Sequence, residues 1–270
     1  MIFNMVGGGS SGGGGGSATA STSPQGGVIY TNGTSGLDAA TLNIFARAIS
    51  SNADISSATT TVYVDYGSEH RKVRIGDKVS ILISEANTSY DFDIIGFNHD
   101  TLTHPAIYGE ETATGKAGMT FQMHDLYLYK QSINSSNTAY GGWPVCGMRV
   151  SIMPWMISCL PADWQGFVKP VNKYTLGGSG DGITVDEGFL LSETEIIGYA
   201  NKSNGTEGTQ YAYYAAGNSK SKSLNGTANN WWERSPRTST EYPWCYITTG
   251  GGANGGNATS PYGVAFAFCV

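Results

Sequence analysis

The chain has 270 residues, of which 13% are charged, and a net charge of −6 at neutral pH. Lys and Arg do not cluster, whereas proteins that bind a nucleic-acid backbone normally present a basic stripe, so we expect no nucleic-acid partner. No apolar run approaches the roughly 18 residues that a membrane span needs, and no signal-peptide pattern is present. We therefore expect no membrane insertion. A hydrophobic content of 40% suffices for a substantial core.

Residues 1–27 form a segment rich in glycine and serine. The apolar start MIFNMV is followed by GGGSSGGGGG at residues 7–16. Glycine has no side chain whose burial would offset its ordering entropy, so we expect residues 1–27 to be a tether. Two interpretations stay open: a plain linker, or an attachment segment that orders only within an assembly.

Residues 28–69 predict a small α+β connecting module. A short strand is expected at residues 28–30, and the spacing of Ser35 and Asp38 is typical of a helix start. Apolar residues then recur at helical spacing as far as about Ser50. Residues 59–66 alternate and are rich in β-branched side chains, which predicts a strand.

Residues 70–270 predict the main domain. Two strands are expected around a turn at Gly76, and further strands at residues 91–97 and 119–129. Residues 147–159 have helical spacing, but Pro154 is expected to kink or break that helix; a short helix follows Pro161. Residues 183–197 predict a buried strand that ends in an acidic turn. Beyond residue 198, the sequence favours short strands joined by long polar loops.

Several segments of this domain together carry a resemblance. They read IGFNHD (95–100), INSSNT (133–138), LPADWQGFVKPVNKYT (160–175), FLLSETEIIG (189–198), NNWWERSP (229–236) and, from residue 245 to the end, CYITTGGGANGGNATSPYGVAFAFCV. They resemble an uncharacterised domain family of gut bacteria and their phages, marked by WWxRSP, a variable aromatic stretch and a closing GVxxxFC. The start MIFNMVGGGS is similar to the N-termini of phage tail-fibre and other virion proteins.

The resemblance implies a fold and a set of structural residues. The expected fold is α+β and C-type-lectin-like, related to formylglycine-generating-enzyme-like domains, with short strands, two or three helices and long loops. Within WWERSP, we expect Trp231, Trp232 and Arg234 to be structural. A ligand-contacting Arg234 is the alternative to a guanidinium that bonds carbonyls or a carboxylate.

The segment from residue 237 to 262 has the composition of a binding surface. Tyr and Trp provide rigid contact area, and Ser, Gly and Asn provide adaptable hydrogen bonds. On a strand, Tyr242, Trp244 and Tyr246 would share one face. The alternative is that these aromatic residues fill the core. The predicted ligand-binding residues are Arg237, Tyr242, Trp244, Tyr246, Thr248, Asn254 and Asn257.

Catalysis has little support in the sequence, and we expect no enzyme. His70, His99, His104 and His124 lack metal-ligand spacing. His99 lies in an Asn-His-Asp sequence that suggests either a general base or, as we expect, a strand-end turn. Glu193 and Glu195 suggest either an acid–base pair or, as we expect, a solvated strand edge.

No cofactor or metal is expected either. The tripeptides EPN and WND, through which sugar-binding C-type lectins hold calcium, are absent. Cys146, Cys159, Cys245 and Cys269 are expected to be buried free thiols, with a Cys245–Cys269 disulfide as the alternative.

These observations favour a phage virion protein. We expect a tail-fibre or tail-tip receptor-binding protein, made in the bacterial cytoplasm without a signal peptide, whose C-terminal loops recognise a host-cell surface glycan or protein. Its N-terminal segment would contact other virion subunits, and a homo-oligomer would compensate for weak single-site affinity. One alternative is a structural virion component whose aromatic tail packs at a subunit interface; another is an enzyme of the formylglycine-generating type.

Overall fold

The computed structural model describes residues 17–103, 113–176 and 182–270. The predicted tether's glycine tract and His104 lie outside these residues. Strands account for 33% of the described residues and helices for 17%, in several small sheets, which confirms the α+β class. Within the part described, no helix combines the length and the hydropathy needed to cross a membrane.

A four-stranded sheet, in the order β1-β3-β4-β2, forms the N-terminal part. Its strands are β1 (Thr19–Ser21), β2 (Thr31–Asn32), β3 (Thr61–Tyr66) and β4 (Glu69–Arg74). Because β1 pairs with β3, the chain from Thr19 onward belongs to this sheet and not to a tether. The β3–β4 ladder runs to the pair Thr61–Arg74, so the sheet extends beyond the module boundary expected at residue 69.

Helix α1 (Ala39–Ser50) packs against this sheet. Its apolar residues Leu42, Phe45 and Ile49 are fully buried, as the helical spacing predicted. The Asp38 carboxylate caps the helix, accepting a hydrogen bond from the Thr41 N–H at 2.7 Å.

The central sheet has five strands in the order β10-β16-β7-β6-β5. They are β5 (Lys78–Ile83), β6 (Thr88–Phe97), β7 (Met119–Met123), β10 (Gly188–Phe189) and β16 (Ala267–Cys269). The predicted turn at Gly76 is confirmed, with φ of 88°, and it separates β4 from β5. β5 forms one edge of the sheet.

Smaller elements surround the central sheet. The remaining strands are β8 (Val171–Thr175), β9 (Gly182–Asp186), β11 (Lys222–Leu224), β12 (Thr227–Asn229), β13 (Trp231–Pro236), β14 (Trp244–Ile247) and β15 (Ala253–Gly256). They pair as β8–β9, β11–β12 and β13–β14–β15.

The described residues contain five α-helices, more than the two or three expected. Those after α1 are α2 (Met153–Ser158), α3 (Ala162–Gln165), α4 (Glu193–Ile197) and α5 (Ala212–Ala215). A 3₁₀ turn (Trp143–Val145) and a π-helical turn (Met148–Ile152) precede α2. Pro154 is the second residue of α2, directly after the π-helical turn, so the helical stretch changes from π to α at the proline that was expected to kink or break it.

Helix α4 corrects the single strand predicted at residues 183–197. Ser192 and Glu195 form a reciprocal capping box that starts the helix, and Gly198 ends it in a left-handed conformation. The residues before α4 form two short strands, β9 and β10, and Leu190 and Leu191 connect β10 to the helix.

The N-terminal part and the central sheet share one continuous hydrophobic core. The buried Asn98 side chain, at the end of β6, donates to the carbonyl oxygens of Ile49 and Ile55 at 3.0 and 2.8 Å. Gly118 contacts the backbone of α1 so closely that a β-carbon there would lie 1.9 Å from the Ala46 oxygen. The two parts are thus packed directly against each other.

Candidate functional site

The strongest candidate site is a surface groove of about 380 Å³ between two loops, one at residues 137–140 and the other at residues 237–243. We call it the loop groove. Its lining residues are Asn137, Thr138, Ala139, Tyr140, Arg237, Thr238, Ser239, Thr240 and Pro243. Hydroxyl and amide groups dominate this lining, so the groove offers both hydrogen-bond donors and acceptors.

Asn137 holds the two loops of the groove together. Its side-chain N–H₂ donates to the Glu241 carbonyl oxygen at 3.0 Å, and its side-chain oxygen accepts from the Ala258 N–H at 2.9 Å. The Trp244 indole N–H reinforces the same contact by donating to the Thr138 carbonyl oxygen at 2.9 Å. The walls of the groove are therefore fixed before any ligand binds.

Arg237 holds the loop at residues 237–243 in place. Its guanidinium donates to the carbonyl oxygens of Lys202 and Tyr242 at 3.0 and 3.1 Å. A β-carbon at Gly255 would overlap this guanidinium, so glycine is needed there for the arginine to lie over β15. Arg237 was predicted to contact the ligand; it lines the groove, and its two described guanidinium hydrogen bonds go to backbone carbonyl oxygens.

Two tyrosines lie in the loops that form the groove and are exposed to solvent: Tyr140 lines the groove, and Tyr242 lies next to the lining residue Pro243. Tyr140 is 76% exposed and Tyr242 is 46% exposed. Exposed tyrosines on a hydrogen-bonded framework provide contact area at low entropic cost. Tyr242 was predicted as a ligand-binding residue; Tyr140 was not, although the INSSNT segment just before it carries the family resemblance.

The structure corrects the expectation that Tyr242, Trp244 and Tyr246 share an exposed face. Trp244 is fully buried and Tyr246 is 9% exposed. All four residues of their strand β14 are buried, so both of its faces are packed. Tyr246 instead contacts Tyr262 at a ring distance of 4.6 Å. Of the three aromatic residues, only Tyr242 is positioned to meet a ligand.

The other predicted binding residues shape turns near β15. The Thr248 hydroxyl accepts from the Gly252 N–H at 3.2 Å, and the Asn257 side chain accepts from the Thr259 N–H at 2.9 Å. Asn254 is exposed, and its side-chain N–H₂ donates to the Tyr246 hydroxyl at 3.3 Å. These residues lie outside the lining of the loop groove.

The WWERSP motif lies in the interior. Trp231, Trp232 and Arg234 are fully buried in β13. The Arg234 guanidinium donates to the Glu195 carboxylate at 2.9 Å and to the Tyr174 carbonyl oxygen at 3.0 Å. These contacts join β13 to α4 and β8.

A buried ionic network continues from Arg234. Lys173 Nζ donates to the Asp100 carboxylate at 2.5 Å, to the Glu195 carboxylate at 3.0 Å and to the Tyr211 hydroxyl at 2.8 Å. All four charged side chains of this network are less than 5% exposed. We call the set of Asp100, Lys173, Glu195, Arg234 and Tyr211 the core network.

Electrostatics keep the core network ionised. Burial alone would raise the pKa of Asp100, but attraction to Lys173 holds it well below its usual range. Burial likewise opposes ionisation of Glu195, and Arg234 and Lys173 together lower its pKa. Burial would lower the pKa of Lys173, but Asp100 and Glu195 raise it. Each charge is therefore stabilised by its neighbours.

The structure corrects one sequence expectation about these segments and confirms another. Glu193 and Glu195 were expected on a solvated edge but are buried, and Glu193 accepts hydrogen bonds from the backbone N–H groups of residues 201–203. The segment at Asn98 does turn, with φ of 43°, but its asparagine bonds distant carbonyls. His99 stacks on Tyr211 at 3.8 Å, and burial lowers the His99 pKa, which favours the neutral ring.

His99, Asp100 and Glu195 also have the proximity of metal ligands, with ligand atoms within 4.8 Å of one another. Lys173 Nζ, however, bonds two of these three side chains directly. The ammonium group thus occupies the position that a cation would take. The donor set does not fit a metal while Lys173 is in place.

The four cysteines are buried thiols. Burial raises the pKa of Cys146 to about 12, and it also raises the pKa values of Cys245 and Cys269 well above the ordinary value. A thiol with a raised pKa is a poor nucleophile because little thiolate forms at neutral pH.

Glu233 is a fully buried carboxyl group whose two oxygens have no hydrogen-bond partner among the described residues. Burial, together with repulsion from Glu193 and Glu207, raises its pKa well above the ordinary value. The folded protein therefore keeps Glu233 protonated at pH values above about 4.5, at which the same side chain in the unfolded chain has released its proton. Glu233 therefore lowers the free energy of unfolding more and more as the pH rises above about 4.5.

We expect Glu233→Gln to raise the melting temperature at pH 7, because the amide fills the same space and cannot ionise. The gain should vanish below about pH 4, where the carboxyl group is protonated in both states. Thermal melts at both pH values check this, with the exposed Glu187→Gln as control. Equal melting temperatures of Glu233→Gln and the parent at pH 7 would contradict it.

The fold and the loop groove define an α+β protein with a preformed polar surface site on a rigid aromatic core. A family model described as a domain of unknown function (DUF6273) matches residues 123–270, more than half of the chain. The chain belongs to this family. The match includes WWERSP and both loops of the groove. Searches of curated proteins and of solved structures found no match.

Proposed function

We propose that this protein is a non-catalytic binding module that recognises a ligand on a host-cell surface through the loop groove. The observation that carries the proposal is the groove itself: hydroxyl and amide side chains and two exposed tyrosines on loops that Asn137 and Arg237 fix in place. Preorganised loops lose little entropy on binding. A glycan or a protein surface suits such donors, acceptors and aromatic faces.

The setting that we propose is a phage virion, as a tail-fibre or tail-tip receptor-binding protein. Two sequence features support it: the resemblance carried by WWERSP and the closing GVAFAFCV, and the start MIFNMVGGGS, whose residues lie outside those described. In this setting the N-terminal segment contacts other virion subunits. Several copies on one particle convert weak single-site binding into strong attachment.

The test uses the purified full-length chain, displayed multivalently, against a panel of intact bacterial cells. We expect strain-selective binding that Tyr140→Ala and Tyr242→Ala each weaken about tenfold or more, since exposed aromatic anchors carry a large share of binding energy. Thermal melts confirm that the variants are folded.

Tyr199→Ala is the matched control, because Tyr199 is 61% exposed and lies outside the groove lining. Binding that persists in both groove variants would contradict the assignment of the site. An absence of binding to every strain would contradict host recognition.

A structural virion component is the second candidate, and an apolar strip on the β8–β9 hairpin favours it. Tyr174, Ile183 and Val185 are 43%, 68% and 50% exposed there, and their places in the ladder put them on one face. A neighbouring subunit would cover such a strip. This candidate becomes the better one if the chain binds no cells.

A further inference from the structure

A second cavity, larger than the loop groove, lies along the free edge of the central sheet. Its volume is about 800 Å³, within the range of small-molecule sites. We call it the sheet-edge pocket. Three segments form it: the loop from Asn32 to Ala39, the β4–β5 region and the start of α3. It therefore spans the junction between the N-terminal part and the central sheet, which is a common position for ligand sites.

The walls of the sheet-edge pocket are tied together by hydrogen bonds. The Thr34 hydroxyl donates to the Lys78 carbonyl oxygen at 2.7 Å, which fastens the loop to β5. The Gly33 N–H donates to the Lys72 carbonyl oxygen at 2.9 Å. The Asp77 carboxylate accepts from the Arg74 N–H at 2.7 Å. The cavity is thus part of the folded framework.

Four carboxylates, those of Asp38, Asp77, Asp91 and Asp163, and two cations, Arg74 and Lys78, line the pocket. Arg74 pairs with Asp77 at 3.5 Å, and Lys78 lies 3.9 Å from Asp91. The lining therefore has two negative charges in excess, which disfavours an anionic ligand such as a phosphate. The carboxylates keep lone pairs free beyond these contacts.

The rest of the lining alternates donors, acceptors and apolar surface. Asn32, Ser35 and Ser80 add exposed amide and hydroxyl groups, while Val79 and Trp164 are buried at the cavity wall. Closely spaced donors and acceptors beside an apolar floor match a ligand that carries several hydroxyl groups on an apolar ring.

We propose that the sheet-edge pocket binds a neutral saccharide. Carboxylates and hydroxyl groups of the lining accept and donate hydrogen bonds to sugar hydroxyl groups, and the apolar wall contacts the C–H face of the ring. The proposal does not depend on the loop groove and adds a second recognition site, formed mostly by residues 32–91, which precede the matched family domain, and completed by Asp163 and Trp164 from within it.

The experiment follows the amide and indole resonances of the isotope-labelled full-length chain by NMR. The probes are glucose, galactose, mannose, rhamnose and N-acetylglucosamine and their disaccharides, titrated to about 50 mM, since single-site sugar affinities near 1 mM are sufficient here. We expect at least one probe to shift the Trp164 indole resonance saturably.

The blocking variant is Ser80→Trp, which fills the pocket from an exposed position on an edge strand where an aromatic residue suits the sheet. It should weaken binding at least tenfold without lowering the melting temperature. Ser239→Trp, in the loop groove, is the matched control and should bind like the parent.

Each remaining outcome overturns the proposal. Saturable shifts in no titration mean that the pocket takes no neutral saccharide. Shifts that Ser80→Trp leaves intact and Ser239→Trp removes assign the sugar to the loop groove, which supports the proposed function while refuting this one.

Discussion

Replacing Arg234 by alanine is expected to lower the free energy of unfolding by about 3–5 kcal/mol, the usual cost of removing one partner of a buried ion pair. Arg234 is fully buried and donates to Glu195 and to the Tyr174 carbonyl oxygen. Without it, Glu195 keeps only Lys173 as a buried cationic partner, and the space of the guanidinium is left empty. Urea denaturation measures the loss.

Arg74→Ala is the control for this substitution. Arg74 forms an ion pair with Asp77, but its side chain is 46% exposed. An exposed ion pair contributes about 0–1 kcal/mol. If Arg234→Ala lost no more stability than Arg74→Ala, the core network would not be the structural element that we describe.

Gly118→Ala is expected to cost about 3 kcal/mol, at the upper end of the usual penalty for overpacking. The added methyl group would lie 1.9 Å from the Ala46 oxygen and 2.5 Å from the Ala46 carbonyl carbon. Because these are backbone atoms of α1, no side chain can rotate away. The helix itself must shift, and with it the contact between the N-terminal part and the central sheet.

The measurement for Gly118→Ala is again urea denaturation. Gly182→Ala serves as control, because no other group lies within 4 Å of the position that its methyl group would take and its φ is not positive. We expect the control to stay within about 0.5 kcal/mol of the parent, as is usual for surface substitutions. Equal stabilities of the two variants would refute the close approach.

Local patterns in the sequence predicted much of the fold. The apolar spacing of α1 and the turn at Gly76 are determined by short-range chemistry, and both were found. Helix α4 was missed because a run of buried apolar residues does not distinguish a strand from a helix by periodicity. The capping box of Ser192 and Glu195 was the local signal that could have corrected it.

The candidate site was predicted only in part, for a different physical reason. Whether Trp244 is exposed depends on residues that are distant in the sequence, such as Thr138, whose carbonyl oxygen accepts a hydrogen bond from the Trp244 indole N–H. The sequence therefore pointed to a segment that forms one wall of the loop groove, but Trp244 and Tyr246, which it assigned to a binding surface, are buried. The position of Tyr140 in the opposite wall could not be predicted, because its loop meets residues 237–243 only after folding.

The way in which Asn137 holds its neighbouring loop has an evolutionary consequence. Its amide bonds the carbonyl oxygens of Thr240 and Glu241, and Arg237 bonds that of Tyr242. Every residue type supplies such an oxygen, so the anchoring does not depend on which side chains residues 240–242 carry. These positions can exchange side chains without losing those hydrogen bonds, so one backbone frame can carry many different surfaces.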